Sequence, residues 1–228
     1  MSRMVYADHA ATTPLSPTAK QAMADFWDKR FGNPSSLYHL GQKAKDDLEA
    51  ARAEIAQCLN ARPGEVLFTS GGTESDNWAL RRGVGLNRRR GKHIITTSIE
   101  HHAILHSAQW LEKQGFEVTY LPVDAVGRVS PSDVEKAIRP DTILISVMAA
   151  NNEIGTIEPI AKAYNVLFHV DAVQAVGHIP VDVKAWNVDM LSFSGHKFYG
   201  PAGIGGLFLR HGLRLPPLVH GGGQERGL

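Results

Sequence analysis

The sequence predicts an α/β protein, a mostly parallel sheet with helices on both faces, three layers in all. Three observations carry this. Apolar runs of strand length alternate with helical patterns along the chain. The runs are apolar at successive positions, so both faces of each strand must be covered. Small, polar or glycine-rich clusters follow directly on the ends of the runs, where ligands bind in such sheets. At 228 residues the chain can bury a full α/β core, as one domain or at most two.

Val5 to Pro14 reads as an extended arm, too polar for core, so residues 1–14 form an N-terminal arm and 15–228 the large domain. Ser16-Pro17 supplies an N-cap and a first-turn proline, and Ala19, Ala22, Met23, Phe26 and Trp27 follow at helical spacing to about Lys29. Gly32 to Ser36 is a loop by turn chemistry. A second helix carries Leu40, Ala44, Leu48, Ala51, Ile55 and Leu59 on one stripe. Cys58, the only cysteine, falls on that stripe and reads as a buried structural thiol rather than a nucleophile. Glu65 to Thr69 is a strand, and Ser70-Gly71-Gly72-Thr73-Glu74-Ser75 turns into a helix through Leu80. The amides of its first turn, with the Thr73 hydroxyl, suit a phosphate, although a plain capped turn has the same sequence.

The alternation continues with a strand at 93–97, a helix at 102–114 and a strand at 116–121. Ser130-Pro131 caps a short helix ending near Ile138, and 142–148 is the next strand. Ile157 to Tyr164 is left for a crossover helix, and strands follow at 166–170 and 188–193, with 204–209 as a further edge. Past the strand ends lie five polar clusters: Ser70 to Thr73, Glu100-His101-His102, Asn151-Asn152-Glu153, Asp171 with Gln174, and Ser194 with His196 and Lys197. Each has a plain structural alternative, as a cap, a turn or a surface pair. Five together at the ligand-binding edge point to one crevice.

Lys197 lies between Ser and His donors and the run Gly200-Pro201-Ala202-Gly203. A surface lysine is the plain reading. A lysine in a partly dry pocket loses ammonium solvation, and its free amine can condense with an aldehyde cofactor. Asp171, directly after a buried strand, suits an ion pair with a protonated pyridine nitrogen, as pyridoxal chemistry requires. Gln174 could bond the ring oxygen, and His101 could stack on the ring and move protons. Thr73, Ser194 and His196 supply phosphate donors. No residue is assigned to a metal.

The bulk numbers exclude some classes. A formal charge of +1 gives no general pull on nucleic acid or membranes, and Arg88 to Lys92 reads as a solvated loop. No stretch nears the roughly 18 apolar residues of a membrane span. The N-terminus lacks a secretory layout, and one cysteine suits a reducing cytoplasm.

The chain resembles the class V aminotransferases, pyridoxal-phosphate enzymes, and within them the cysteine desulfurases of the NifS/IscS type. The carrying residues are Tyr6 to Pro14, Gly32 to Ser36, Thr69 to Ser75, Glu100-His101-His102, Asn151 to Gly155, His169 to Gln174 and Ser194 to Lys197. The resemblance implies the fold-type-I large domain and a homodimer. It also implies removal of sulfur from L-cysteine to give alanine and a persulfide for iron–sulfur cluster or thio-cofactor assembly, with a sulfur-acceptor or scaffold protein as partner. By it, Lys197 carries the cofactor and Asn152 contacts the substrate carboxylate or the ring oxygen region. Three features depart from the pattern. No cysteine follows the lysine motif, and Cys58 does not match the family's position. The small C-terminal domain is expected to be absent. The link from Asn152 to Asp171 is about six residues short, near two helical turns. A selenocysteine or cystine lyase, an aminotransferase proper, and a non-catalytic cofactor-binding fragment are the alternatives.

Overall fold

The computed structural model describes residues 4–158 and 166–228. Seven strands form one sheet: β1 (Val66–Thr69), β2 (His93–Thr97), β3 (Glu117–Leu121), β4 (Thr142–Met148), β5 (Leu167–Asp171), β6 (Met190–Ser194) and β7 (Gly205–Leu209). Their order is β1-β7-β6-β5-β4-β2-β3. The five strands from β6 to β3 are parallel. The helices are α1 (Pro17–Lys29), α2 (His39–Cys58), α3 (Gly72–Leu86), α4 (His102–Lys113) and α5 (Pro131–Ala137).

Successive strand residues point to opposite faces, and the two sides of the sheet have separate cores. Phe168, Val170, Leu191 and Phe193 pack with Ala56 of α2 and with Leu59 at its C-cap, while Val134 and Ala137 of α5 rest against that cluster. The alternate residues Leu144, Leu167, Met190 and Leu207 pack with Trp78 and Leu80 of α3 and Ile104 and Leu111 of α4. This is the three-layer arrangement expected from strands apolar on both faces.

One strand lies elsewhere than its sequence suggests. The run at 204–209, read as a further edge, is β7, inserted between β1 and β6 and antiparallel to both. Residues 195–204 contain only a short 3₁₀ turn. A connection without a crossover helix returns the chain antiparallel, so β1 and β3 become the edges. The crossover helix expected at 157–164 falls mostly on 159–165, outside the described residues. Ile157 does not begin a helix, because it bridges back to Ala150.

The caps differ in detail. Ser16 Oγ accepts the Ala19 N–H at 3.0 Å and starts α1 as expected. Ser130 occupies the N-cap of α5, but its hydroxyl pairs with Ser132 at 2.8 Å instead of capping.

The stripe predicted for the second helix is buried at Ala44 and Leu59 and exposed at Leu40 and Ala51. Gly41, Ala44, Arg52 and Ala56 face inward, with Leu59 just beyond the helix. This places Cys58 outside and exposed, which corrects its reading as a core thiol. Arg52 can sit inside because its charge is met. Its Nη1 and Nη2 donate to the two Glu225 carboxylate oxygens at 2.8 and 2.9 Å. Nη1 also donates to the Val66 carbonyl, and the guanidinium lies 4.6 Å from the Phe68 ring centre. Glu225 in turn accepts the Phe68 N–H at 2.8 Å. The pair therefore covers the edge strand β1. Removing one partner of such a buried pair costs about 3–5 kcal/mol.

Candidate functional site

The carboxyl ends of β1, β2, β4, β5 and β6 open on one cavity of about 420 Å³. Thr73 reaches it from the start of α3, His101 from the N-cap of α4 and Asn152 from the turn after β4. Asp171 ends β5, with Gln174 just beyond. Ser194, His196 and Lys197 come from the end of β6 and the turn after it. All eight residues singled out in the sequence line this space. Two of their neighbours, His102 and Asn151, do not line it. His102 stacks on His106, centroids 5.1 Å apart. Buried Asn151 donates to the Ile99 carbonyl and accepts the N–H groups of Glu153 and Ile154.

The start of α3 approaches the sheet closely because it is glycine. A Cβ on Gly72 would lie 2.5 Å from Val173 Cγ2, and one on Gly205 2.6 Å from Gly71 Cα. The amides of a 15-residue helix therefore reach the cavity wall beside the Thr73 side chain. Such a helix start favours an anion.

The N-terminal arm forms the other wall, which sequence reasoning missed. Asp8, Ala10 and Ala11 line the cavity. Lys197 Nζ donates to the Ala10 and Ala11 carbonyls at 2.6 and 2.8 Å. Gln174 Nε2 donates to the Ala10 carbonyl at 2.8 Å. Thr13 ties the arm down through its hydroxyl to the His196 carbonyl, while Thr12 pairs with His196 Nδ1. No local periodicity marks these contacts, which span more than 160 positions.

Electrostatics separate the groups. Burial lowers the Lys197 pKa from its ordinary value, with the charges of Asp171 and Asp8 pulling the other way. Burial raises Asp171, opposed by the Val173 N–H at 2.9 Å and by His101 and Lys197. His196 is lowered by burial and by the Lys197 charge. His101 Nδ1 accepts the Ala103 N–H at 3.1 Å. In the neutral ring the proton is then on Nε2.

Glu100, next to His101, is buried. One carboxyl oxygen accepts from the Thr97 hydroxyl at 2.7 Å and the Met148 N–H at 3.0 Å, and the other has no hydrogen-bond partner. Burial pushes its pKa from 4.5 up to about 8. In the unfolded chain this proton leaves above the lower value, while the fold retains it until the upper one. Glu100 therefore costs stability progressively as pH rises through that window. Glu100→Gln, which cannot ionise, should gain on the wild type between pH 5 and 8 by on the order of 3 kcal/mol. Denaturant titrations at the two pH values measure this; an unchanged difference would mean that Glu100 is already ionised in the fold.

Comparison with known proteins places this geometry. The aminotransferase class-V family model matches residues 5–226. The cysteine desulfurase IscS of Methanosarcina thermophila is 55% identical over 99% of the chain, which covers 57% of that relative. A cysteine desulfurase IscS 1 of Archaeoglobus fulgidus is 46% identical over 99% of the chain and covered to 60%. The chain thus spans under two thirds of the length of these relatives. Among solved structures, a NifS-like protein superposes with a TM-score of 0.94 at 44% identity, over 97% of this chain and 63% of that one. A structure titled SspA in complex with cysteine gives 0.92 at 43% identity, over 98% and 67%. The fold, a mostly parallel seven-stranded sheet between helices, is the NifS-like one.

Proposed function

We propose a function for this chain from the premise that it belongs to the aminotransferase class-V family: it is the pyridoxal-phosphate-binding large domain, residues 15–228 with the arm 1–14, of a cysteine desulfurase. The observation that carries this reading is one cavity lined by a half-buried lysine, a buried aspartate and the start of a long helix. The donor set fits the cofactor group by group. Lys197 offers a desolvated amine to the aldehyde. Asp171 offers an anion to the pyridine nitrogen, and Gln174 an amide to the ring oxygen. The start of α3 with Thr73, Ser194 and His196 offers donors to the phosphate. When bound, pyridoxal phosphate supplies an electron sink for bonds to the substrate's α-carbon.

The protein's part is to bind, orient and move protons. Asp171 holds negative charge where burial keeps competing water away. His101, its ring set by the Nδ1 contact to the α4 backbone, carries a mobile proton on Nε2 beside the cavity. Lys197, once its amine is free, accepts and returns a proton on Nζ. Asn152 orients the substrate carboxylate or the ring oxygen.

The substrate is L-cysteine, and the products are alanine and a persulfide on an acceptor thiol, for iron–sulfur or thio-cofactor assembly. Relatives named as cysteine desulfurases and the cysteine-bound structural neighbour support this choice. A homodimer is supported by exposed Trp27, Phe31 and Leu37, which leave an apolar surface unmet in one copy. The single free thiol suits a reducing cytoplasm, and a sulfur-acceptor or scaffold protein would be the partner.

The test is alanine formation from L-cysteine by the cofactor-loaded protein with a small dithiol as acceptor. Turnover is expected. A protein that binds the cofactor but forms no alanine would reduce the function to binding.

A further inference from the structure

The cavity has a second buried carboxyl. Asp76, one turn into α3, lines it together with Asp171 and is 1% exposed. Two buried carboxyls beside one cavity and one lysine cannot both carry charge cheaply, so one keeps a proton. The surroundings decide which. Asp171 accepts the Val173 N–H and is drawn toward ionisation by His101 and Lys197. Asp76 has no backbone N–H or cation among the causes that act on it, and its Oδ1 lacks a hydrogen-bond partner.

Its nearest ring is His169, with Nε2 at 3.7 Å. That histidine is no counter-ion. Nδ1 is taken by Ser146 and Nε2 by Ser192, each at 2.9 Å, and burial pushes its pKa down to about 3. The Ser192 hydroxyl favours the Asp76 anion, but burial and the charge of Asp171 oppose it. An ionised Asp76 would be a buried charge with an empty oxygen, and a neutral one avoids the larger part of that cost.

We propose that Asp76 is a positioning residue: a neutral carboxyl between the Ser146–His169–Ser192 chain and the cavity, which leaves Asp171 as the charged member of the buried carboxyl pair facing Lys197. It acts through Asp171 and rests on the pyridoxal-phosphate reading. Polar residues of β4, β5 and β6 thereby support the site from inside the sheet, although nothing in that chain touches a ligand.

Two measurements test it. Infrared difference spectra of wild type minus Asp76→Asn at neutral pH, with no cofactor added, should lose a carboxylic-acid carbonyl stretch. Loss of carboxylate bands instead would overturn the proposal. Cofactor affinity, titrated by absorbance, should stay within about threefold in Asp76→Asn, a neutral isostere that can still hydrogen-bond, and fall about tenfold in Asp76→Leu, which cannot. Equal loss in both variants, or no loss in either, would also overturn it. Failure of the pyridoxal-phosphate reading looks different: the wild type itself would take up no cofactor, while the infrared result would still decide the state of Asp76.

Discussion

Lys197→Ala, mixed with pyridoxal phosphate, should give none of the absorbance near the visible edge that the wild type develops, and its turnover should fall roughly 10⁴-fold or more. The chain has other lysines, but the site's chemistry needs one that is both dry and aimed. Lys197 is half-buried, burial lowers its pKa, and its ammonium donates to two backbone carbonyls of the arm. Releasing those two bonds frees the amine within the same cavity. The alanine variant keeps the helix start, the hydroxyls and Asp171, so pyridoxal phosphate should still bind weakly without the spectral change. Binding without colour distinguishes loss of the nucleophile from collapse of the site.

Asp171→Asn should lower turnover by about 10³-fold while still allowing cofactor uptake. The amide matches the carboxylate in size and can keep the contact to the Val173 N–H. What it removes is a fixed negative charge in a dry site, the kind of preorganised electrostatics worth several kcal/mol. A second effect has a definite sign. Asp171 holds the Lys197 pKa up against burial, so without it the lysine loses its proton at lower pH. The rate of cofactor uptake, which follows the neutral amine, should therefore rise at lower pH in the variant than in the wild type. A pH–rate profile unmoved by the substitution would show that the two groups do not sense each other.

The sequence made the site more legible than the frame. Thr73, His101, Asn152, Asp171, Gln174, Ser194, His196 and Lys197 stood out because each follows an apolar run, and parallel strands bring all their carboxyl ends to one edge. That inference needs only local pattern and one topological rule. The place of β7 needed strand order, which no local pattern encodes. The middle of the α2 face was misjudged, at Ala51 against Arg52, because Arg52 counts as polar in any periodicity, yet is buried against Glu225, 173 positions away. The same error made Cys58 a core residue. The arm looked too polar for the interior, yet it serves Lys197 and Gln174 through the backbone carbonyls of Ala10 and Ala11, and His196 through Thr12 and Thr13. Asp76, inside a helix, was passed over, and His169, inside an apolar run, was given no role of its own. A histidine between Phe168 and Val170 was nonetheless a readable signal, since a buried ring nitrogen must find a partner.

The central claim is that one amine, on Lys197, condenses with pyridoxal phosphate in this cavity. Borohydride reduction of the cofactor-treated protein, followed by intact mass and peptide mapping, tests it most directly. The account predicts a single added cofactor, on the peptide containing Lys197. Adducts scattered over surface lysines, or none at all, would contradict it.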